Sequence, residues 1–344
     1  MNDIDRMREM IGKRVQGHIF SNRGVLLLSA HSVITREHIE LLLRHGIQLS
    51  KQDIEGYEEP STEQKKDHVE EEIHHTVQRI TEYFDSIRLT RKVPLADIRE
   101  NIIPALYETS RSATLYQLFM FMQARDDYTY RHNLAVAMFS NLLGGWLGMD
   151  KQELAQLTTA ALLHDVGKML VPDYILNHPG KLTPEQFDEV KKHAVYGYEI
   201  LKATTGITHR QALVALQHHE RLDGSGYPYG LTASKIDLFS RIVSVVDVFH
   251  AMTSKRVYRD ASPFYEVLLQ ISKDAYGPLD PRITNLFIRK IMATLTGQQV
   301  MLTDGRMGVI VMVPEHDPTR PLVQVDGQYI DLAKDLSVHI RQIF

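Results

Sequence analysis

Seven histidine and aspartate side chains, spread over about a third of the chain, are of the types that hold metal ions. They are His132, His164, Asp165, His193, His218, His219 and Asp247. Neutral imidazoles and carboxylates suit zinc, iron and manganese. Two metal ions need about this many protein ligands when one carboxylate bridges them, and two-metal sites are typical of enzymes that attack phosphate esters. The residues therefore indicate a reaction class before any fold is considered.

Each of these residues also has an ordinary structural explanation when it is taken alone. A histidine such as His132, on an amphipathic helix, is more often a core or surface residue than a ligand. The two aspartates favour the metal interpretation, because Asp165 ends one apolar segment and Asp247 interrupts another. An unpaired carboxylate is costly to bury in such surroundings, and a metal ion removes that cost.

The composition of the 344-residue chain excludes several kinds of site and partner. The chain has no cysteine, so it can form neither disulfides nor thiolate zinc sites nor iron–sulfur clusters. Its formal net charge of −4 argues against duplex DNA or RNA as a partner. The first 20 residues lack the apolar core of a signal peptide, and no apolar stretch is long enough to span a membrane. We therefore expect a cytoplasmic protein.

The pattern along the chain predicts four segments and a mainly α fold. Residues 1–53 are expected to form a small mixed β/α unit, and residues 54–92 a linker with a connecting helix. Residues 93–296 show helical periodicity and are expected to form the main domain. Residues 297–344 are expected to form a small β-rich appendage.

Short local signals predict the strands, helix and turns of the two flanking segments. Near the amino terminus they predict strands at residues 15–20 and 25–28 and a helix that begins after Thr35 and ends near Gly46. Near the carboxy terminus they predict strands at residues 300–302, 307–313, 322–325 and 329–332. Asp304-Gly305 and Asp326-Gly327 are expected to form tight turns between these strands.

A predicted helix between residues 61 and 89 has isoleucine at every seventh position, at Ile73, Ile80 and Ile87. Such a repeat has two interpretations. The apolar face could pack against its own domain, or it could form the seam of a parallel homodimer through the 62–89 helix. The sequence leaves both open.

Three sequence blocks resemble the HD-GYP subgroup of the HD phosphohydrolase superfamily. They are HDVGK at 164–168, HHERLDGSGYPYGL at 218–231 and DVFHAMTSKRVYR at 247–259. The intermediate segment ILNHPGKLTPEQFDEVKKH at 175–193 also matches in order and spacing, so the resemblance covers roughly residues 93–295. The blocks in register are far more specific than the dipeptide HD alone.

The resemblance implies a helical HD-domain bundle that hydrolyses cyclic di-GMP to pGpG, with GMP as a further product left open. It also implies two divalent metal ions, iron or manganese, with a bridging hydroxide between them that attacks phosphorus. The first ion would be held by His132, His164, Asp165 and Asp247. The second would be held by His193, His218 and His219, with Asp165 bridging both.

The resemblance also implies roles for residues beyond the ligands. Asp165 and Lys168 would be catalytic, with the Lys168 ammonium near the phosphate or the bridging water. Arg256 and Arg259 would contact substrate phosphate, and Tyr227 of the Gly-Tyr-Pro turn would rim or stack on the guanine site.

Two departures from the family pattern bear on the metal centre. Members with three metals have a glutamate where this chain has Tyr128, so we expect two ions. An acidic residue is usual where this chain has His250, three residues after Asp247. On a helix, His250 could face the site, where it could add a ligand, contact one or weaken one. The alternatives to cyclic di-GMP hydrolysis are hydrolysis of another cyclic dinucleotide or nucleotide, and non-catalytic sensing of cyclic di-GMP.

Overall fold

The computed structural model describes residues 7, 9–17, 19–21, 26–50, 53–54, 62–112, 118, 128–178, 180–253 and 264–344. Among these, side chains are not described at residues 20, 26, 62–70, 72, 111–112 and 128–129. The chain divides into two compact units, Met1–Asp67 and His68–Phe344.

Before Thr62, the described residues of the first unit form a two-stranded antiparallel sheet and a short helix. Strand β1 (Ile19–Phe20) pairs with β2 (Leu26–Leu28), and both lie inside the predicted strand regions. Helix α1 (Arg36–Arg44) begins at a capping box, in which the Thr35 hydroxyl accepts from the His38 N–H and the His38 ring accepts from the Thr35 N–H. Its core is formed by apolar side chains that include Val15, Ile34 and Leu42.

Helices make up most of the second unit, and the first of them begins at Thr62, in the last residues of the first unit. Their bounds are α2 (Thr62–Thr90), α3 (Leu95–Asp97), a π-helical segment (Ile98–Ile102), α4 (Ile103–Ser112), α5 (Tyr128–Trp146), α6 (Lys151–Leu162), a 3₁₀ turn (Val166–Leu170), α7 (Asp173–Leu176), α8 (Pro184–Lys191), α9 (His193–Lys202), α10 (His209–Gln217), a second 3₁₀ turn (Ala233–Lys235), α11 (Leu238–Thr253), α12 (Phe264–Asp274) and α13 (Pro281–Ala293). Capping boxes at Asp150, Thr183 and Thr208 define where α6, α8 and α10 begin.

Helix α2 buries its heptad isoleucines in the core of the second unit. Ile73, Ile80 and Ile87 are each at most 2% exposed, and Val77 and Phe84 between them belong to the same buried cluster. For these isoleucines the structure therefore favours packing within the chain over an intersubunit seam. The homodimer itself stays a prediction.

A five-stranded antiparallel sheet follows the helices, with strand order β6-β5-β4-β3-β7. The strands are β3 (Gln299–Leu302), β4 (Met307–Met312), β5 (Leu322–Val325), β6 (Gln328–Asp331) and β7 (Ile340–Ile343). Asp326 and Gly327 have φ of 47° and 79°, as a two-residue hairpin turn with both central residues left-handed requires. The sequence predicted four of these strands and missed β7, which pairs with β3 across a long separation along the chain.

The structure confirms the predicted fold class, which is mainly α with small β-containing parts at both ends. None of the described helices combines the length and apolar character that crossing a membrane requires.

Candidate metal centre

A close approach between two backbone segments places Asp165 beside His193. Asp165 directly precedes the 3₁₀ turn Val166–Leu170, and His193 is the first residue of α9. A Cβ at Gly167 would lie 1.9 Å from the His193 carbonyl oxygen and 2.4 Å from the Gly197 nitrogen. Only glycine therefore lets the turn pack on α9 at this distance, and the packing brings the two site residues together.

The two carboxylate oxygens of Asp165 face different sets of histidines. Oδ1 lies 3.4 Å from Nε2 of His193 and 3.6 Å from Nε2 of His218. Oδ2 lies 3.4 Å from Nε2 of His164 and 3.8 Å from Nε2 of His132. The donor atoms form two groups, each compact enough to hold a cation, and Asp165 belongs to both groups. The groups are Asp165 with His193, His218 and His219, and Asp165 with His132 and His164.

Asp247 on α11 lies close to histidines of both groups. Its Oδ1 lies 3.1 Å from Nε2 of His132 and 4.0 Å from Nε2 of His164. Its Oδ2 lies 3.8 Å from Nδ1 of His219. The structure thus brings together all seven residues that the sequence selected as ligands.

Two polar atoms of the cluster are buried without a hydrogen-bond partner, His164 Nε2 and Asp165 Oδ1. An unsatisfied buried polar atom usually costs a few kcal/mol, about 1–3, and calls for an explanation. A divalent cation provides one, because a lone-pair nitrogen and a carboxylate oxygen are both metal donors. The donor set of this structure therefore fits a metal ion.

Three histidines hydrogen-bond through Nδ1 to the backbone carbonyl three residues earlier. His164 bonds Ala161 at 2.7 Å, His193 bonds Val190 at 2.6 Å and His218 bonds Ala215 at 2.9 Å. Since a carbonyl oxygen can only accept, Nδ1 must carry the proton and Nε2 keeps its lone pair. We refer to His164, His193 and His218 as the carbonyl-held histidines.

The electrostatic surroundings favour the metal-binding protonation states. Burial lowers the pKa of His164 to about 4 and that of His193 to about 3, and it also lowers the pKa of His219. These imidazoles are therefore neutral near pH 7. Burial opposes ionisation of Asp165, but Lys168 and His164 outweigh it and hold the pKa of this carboxyl well below its usual range.

Asp247 is also an anion at neutral pH. Burial opposes its ionisation, yet the hydrogen bond from His132 and the neighbouring histidines hold its pKa well below the usual range. Three neutral imidazoles, of His164, His193 and His219, and two carboxylates, of Asp165 and Asp247, are therefore in their metal-binding forms.

Lys168 contacts the shared aspartate. Its Nζ lies 2.5 Å from Oδ2 of Asp165, and its side chain is 25% exposed. The family resemblance predicted this ammonium near the phosphate or the bridging water; in the structure it contacts the carboxylate that the two groups share, and its catalytic role stays a prediction.

Tyr227 lies against His219, with ring centroids 4.6 Å apart and planes 29° from parallel. Glu220 holds this loop, because its buried carboxylate accepts hydrogen bonds from the Tyr229 and Leu231 N–H groups, both at 2.8 Å. A Cβ at Gly226 would lie 2.4 Å from the His219 carbonyl oxygen, so the loop also needs glycine there. Sequence reasoning gave no role to Glu220, although an acid directly after His218-His219 was the available signal.

Helix α8 adds a second aromatic ring beside Tyr227. The ring of Phe187 lies 6.4 Å from that of Tyr227, and the Lys191 ammonium lies 4.7 Å from the centre of the Phe187 ring. Phe187 is 46% exposed. These two residues were not singled out from the sequence, where no periodic pattern marks them.

Three predicted positions fall outside what the structure describes. Arg256 and Arg259 lie in residues 254–263, and the side chain of Tyr128 is not described. The substrate contacts and the metal count inferred from these positions stay predictions.

The fold is a helical domain, and the donor atoms of its buried histidines and aspartates fit divalent metal ions. The chain belongs to the HD domain family, whose profile matches residues 104–283.

Curated relatives support the resemblance drawn from the motifs. A cyclic di-GMP phosphodiesterase of Pseudomonas aeruginosa is 35% identical over 204 residues, which are 59% of this chain and 49% of the relative. A cyclic di-GMP phosphodiesterase of Thermotoga maritima is 38% identical over 184 residues, 53% of this chain and 50% of the relative. A 3'3'-cGAMP-specific phosphodiesterase of Vibrio cholerae is 36% identical over 160 residues, 46% of this chain and 35% of the relative. The chain spans about half the length of the first two.

Proposed function

We propose that this chain is a metal-dependent phosphodiesterase that hydrolyses cyclic di-GMP to the linear dinucleotide pGpG. The observation that carries the proposal is the Asp165 carboxylate, whose two oxygens face two separate groups of histidines. The names of the relatives in Pseudomonas and Thermotoga support the choice of substrate.

The proposed centre holds two divalent ions, iron or manganese. One would be bound by His132, His164, Asp165 and Asp247, and the other by His193, His218, His219 and Asp165. When bound, such ions supply an activated water and stabilise charge on the phosphate oxygens. Only Asp165 and Asp247 are anionic among the ligands, so net positive charge would remain to attract a phosphodiester.

The residues of the chain prepare the site for this chemistry. The carbonyl-held histidines present Nε2 lone pairs without rearrangement, since their Nδ1 protons are committed to the backbone. Lys168 offsets the charge of the buried Asp165, and its partly exposed ammonium is placed to contact a substrate phosphate as well.

Substrate recognition is assigned to residues at the edge of the centre. Tyr227 lies on His219, and its ring would rim or stack on the guanine of the substrate. Arg256 and Arg259, beyond the end of α11, would bind the phosphates through their guanidinium groups.

The test is a time course of cyclic di-GMP hydrolysis by metal-free protein reloaded anaerobically with Fe²⁺ or Mn²⁺, with metal content measured on the same sample. We expect pGpG to appear in proportion to loaded metal, and chromatography shows whether GMP follows. Fully loaded protein that binds cyclic di-GMP without cleaving it would support a sensor and reject the proposed activity.

A second candidate substrate is 3'3'-cGAMP, which the Vibrio cholerae relative is named for cleaving. The two cyclic dinucleotides differ in one base, so the metal centre alone does not distinguish them. Turnover of both, with cyclic di-AMP as a third substrate, ranks the candidates. A higher kcat/KM for 3'3'-cGAMP than for cyclic di-GMP would replace the proposed substrate while keeping the reaction class.

A further inference from the structure

A cavity lies between the end of α5, one face of α13 and the segment that follows β4. Its volume is about 430 Å³, which falls within the range of about 300–1,000 Å³ that is usual for small-molecule sites. Trp146 lines the cavity and ends α5, about four helical turns, or roughly 20 Å, beyond His132. None of the seven candidate metal ligands lines it, so the cavity is distinct from the metal centre.

Helix α13 lines the cavity with one of its two faces. Arg282, Asn285, Leu286 and Arg289 are the lining residues, and spacings of three and four residues place them on the same side of the helix. The buried residues of α13 belong instead to the core of the second unit. The helix is therefore anchored by its apolar face, while two guanidinium groups and an amide line the cavity.

The charged side chains of the cavity suit an anion. Within the described part of the chain, the guanidinium of Arg282 has no hydrogen-bond or ion-pair partner. Arg289 pairs with Glu315 at 3.8 Å, and these side chains are 43% and 81% exposed. An ion pair that is so exposed contributes little to stability, so a phosphate can replace Glu315 on Arg289.

Trp146 gives the same cavity an aromatic wall. The side chain is partly buried and packs against the core of the second unit, so the ring is held in place. The Lys290 ammonium lies 5.9 Å from the centre of this ring and adds a positive charge beside it. A fixed aromatic ring that lines a cavity offers a flat surface on which a second ring can stack.

We propose that this cavity is a second ligand site, which binds a nucleoside monophosphate. The base stacks on Trp146, and the phosphate accepts hydrogen bonds from Arg282 and Arg289, whose planar guanidinium groups match phosphate oxygens. Asn285 lies between the two arginines on α13, where its amide can bond the ribose. No residue assigned to metal binding or hydrolysis lines the cavity, so the proposal does not rest on the proposed function.

The test uses the single tryptophan of the chain, because its fluorescence reports on the wall of this cavity. The full chain is titrated with GMP, guanosine and inorganic phosphate, each with and without Mn²⁺. We expect saturable quenching by GMP with a Kd below about 1 mM. Guanosine and phosphate are each expected to bind at least about tenfold more weakly, since each makes only one of the two kinds of contact. Mn²⁺ is expected to change none of these results.

Variants test the two kinds of contact separately. Arg282→Gln and Arg289→Gln are each expected to weaken GMP binding about 10–100-fold, since each removes charge-assisted hydrogen bonds to the phosphate. Arg306→Gln, at the opposite end of β4 from Glu315, is the matched control with unchanged binding. Calorimetry tests the ring, and Trp146→Leu is expected to lose about tenfold or more in affinity while Trp146→Phe keeps most of it.

Four outcomes would overturn the proposal. They are no saturable quenching by GMP up to about 1 mM, phosphate that binds as tightly as GMP, quenching that both arginine variants leave unchanged, and quenching that requires Mn²⁺. The last outcome would assign the nucleotide to the metal centre. None of these measurements involves cyclic di-GMP, so protein that binds GMP as expected but leaves cyclic di-GMP intact would reject the proposed function and keep this inference.

Discussion

The histidines of the metal centre are oriented in two different ways. The carbonyl-held histidines lie near helix ends, His164 just after α6, His193 at the start of α9 and just after α8, and His218 just after α10. The last carbonyls of a helix lack intrahelical partners, so each of these histidines can bond the carbonyl three residues before it.

His132 lies within α5, where the backbone carbonyls are engaged in the helix. Its Nδ1 contacts a side chain of another helix, His250 of α11. The difference teaches that local backbone geometry orients three of the ligands, whereas His132 also makes a contact that depends on how α5 and α11 pack.

The largest effect is expected from Asp165→Asn, because Asp165 lies beside His132 and also beside the carbonyl-held histidines. The variant keeps the shape but removes the charge that both groups share, so we expect metal content to fall and turnover to drop by on the order of 10²–10³-fold. Metal analysis and the hydrolysis time course measure this. Asp304→Asn, in the exposed β3–β4 turn, is the control. Normal turnover by Asp165→Asn would exclude the shared role of Asp165.

Gly167→Ala tests the close packing that positions His193, one of the carbonyl-held histidines. Its Cβ would collide with the His193 backbone, so the 3₁₀ turn and α9 must separate, and we expect a stability loss of about 1–3 kcal/mol together with weaker metal binding. Urea unfolding and metal titration check both effects. Gly145→Ala on α5 meets no atom within 4 Å and is the matched control. A Gly167→Ala protein with unchanged metal affinity would show that the close approach does not set the site.

Glu220→Gln tests the loop that places Tyr227 on His219. Unlike the carbonyl-held histidines, His219 has no backbone carbonyl partner among the described hydrogen bonds. A glutamine has one accepting oxygen where glutamate has two, so only one of the two backbone N–H groups keeps its acceptor. We expect a loss of stability of about 1–2 kcal/mol and a higher KM, with unchanged metal content. Steady-state kinetics and metal analysis separate these effects. Glu199→Gln, exposed on α9, is the control. A loss of metal instead of a rise in KM would assign Glu220 to the centre itself.

A separate expectation concerns pH and the metal-free protein. The folded pKa values of His164 and His193, about 4 and about 3, lie below the ordinary value of 6.5, so the unfolded chain binds more protons between these limits. Stability is therefore expected to fall as pH drops below about 6.5, by up to about 1.4 kcal/mol per pH unit for each histidine. Denaturant unfolding between pH 7 and about 4.5 measures this slope. Stability that rises on acidification would contradict neutral, buried histidines.

Much of the fold and of the candidate site followed from local signals in the sequence. The capping residue Thr35 and the Asp326-Gly327 turn act over a few positions, and the structure has α1 and the β5–β6 hairpin where they predicted them. Strand β7 was missed because its pairing with β3 joins residues far apart in the chain, and its own four residues carry no alternating pattern. The aromatic neighbour Phe187 was missed for a similar reason, since only packing places it beside Tyr227.

The sequence by itself determined the chemical types of the ligands, their order along the chain and the family whose pattern they match. It could also have placed His164, His193 and His218 near helix ends, because those ends are encoded locally. Only the tertiary structure decided which oxygen of Asp165 faces which histidines, and that His250 contacts His132 at Nδ1. The physical reason is that helical periodicity fixes a side chain's direction on its own helix, while contacts between helices are set by packing that no local pattern specifies.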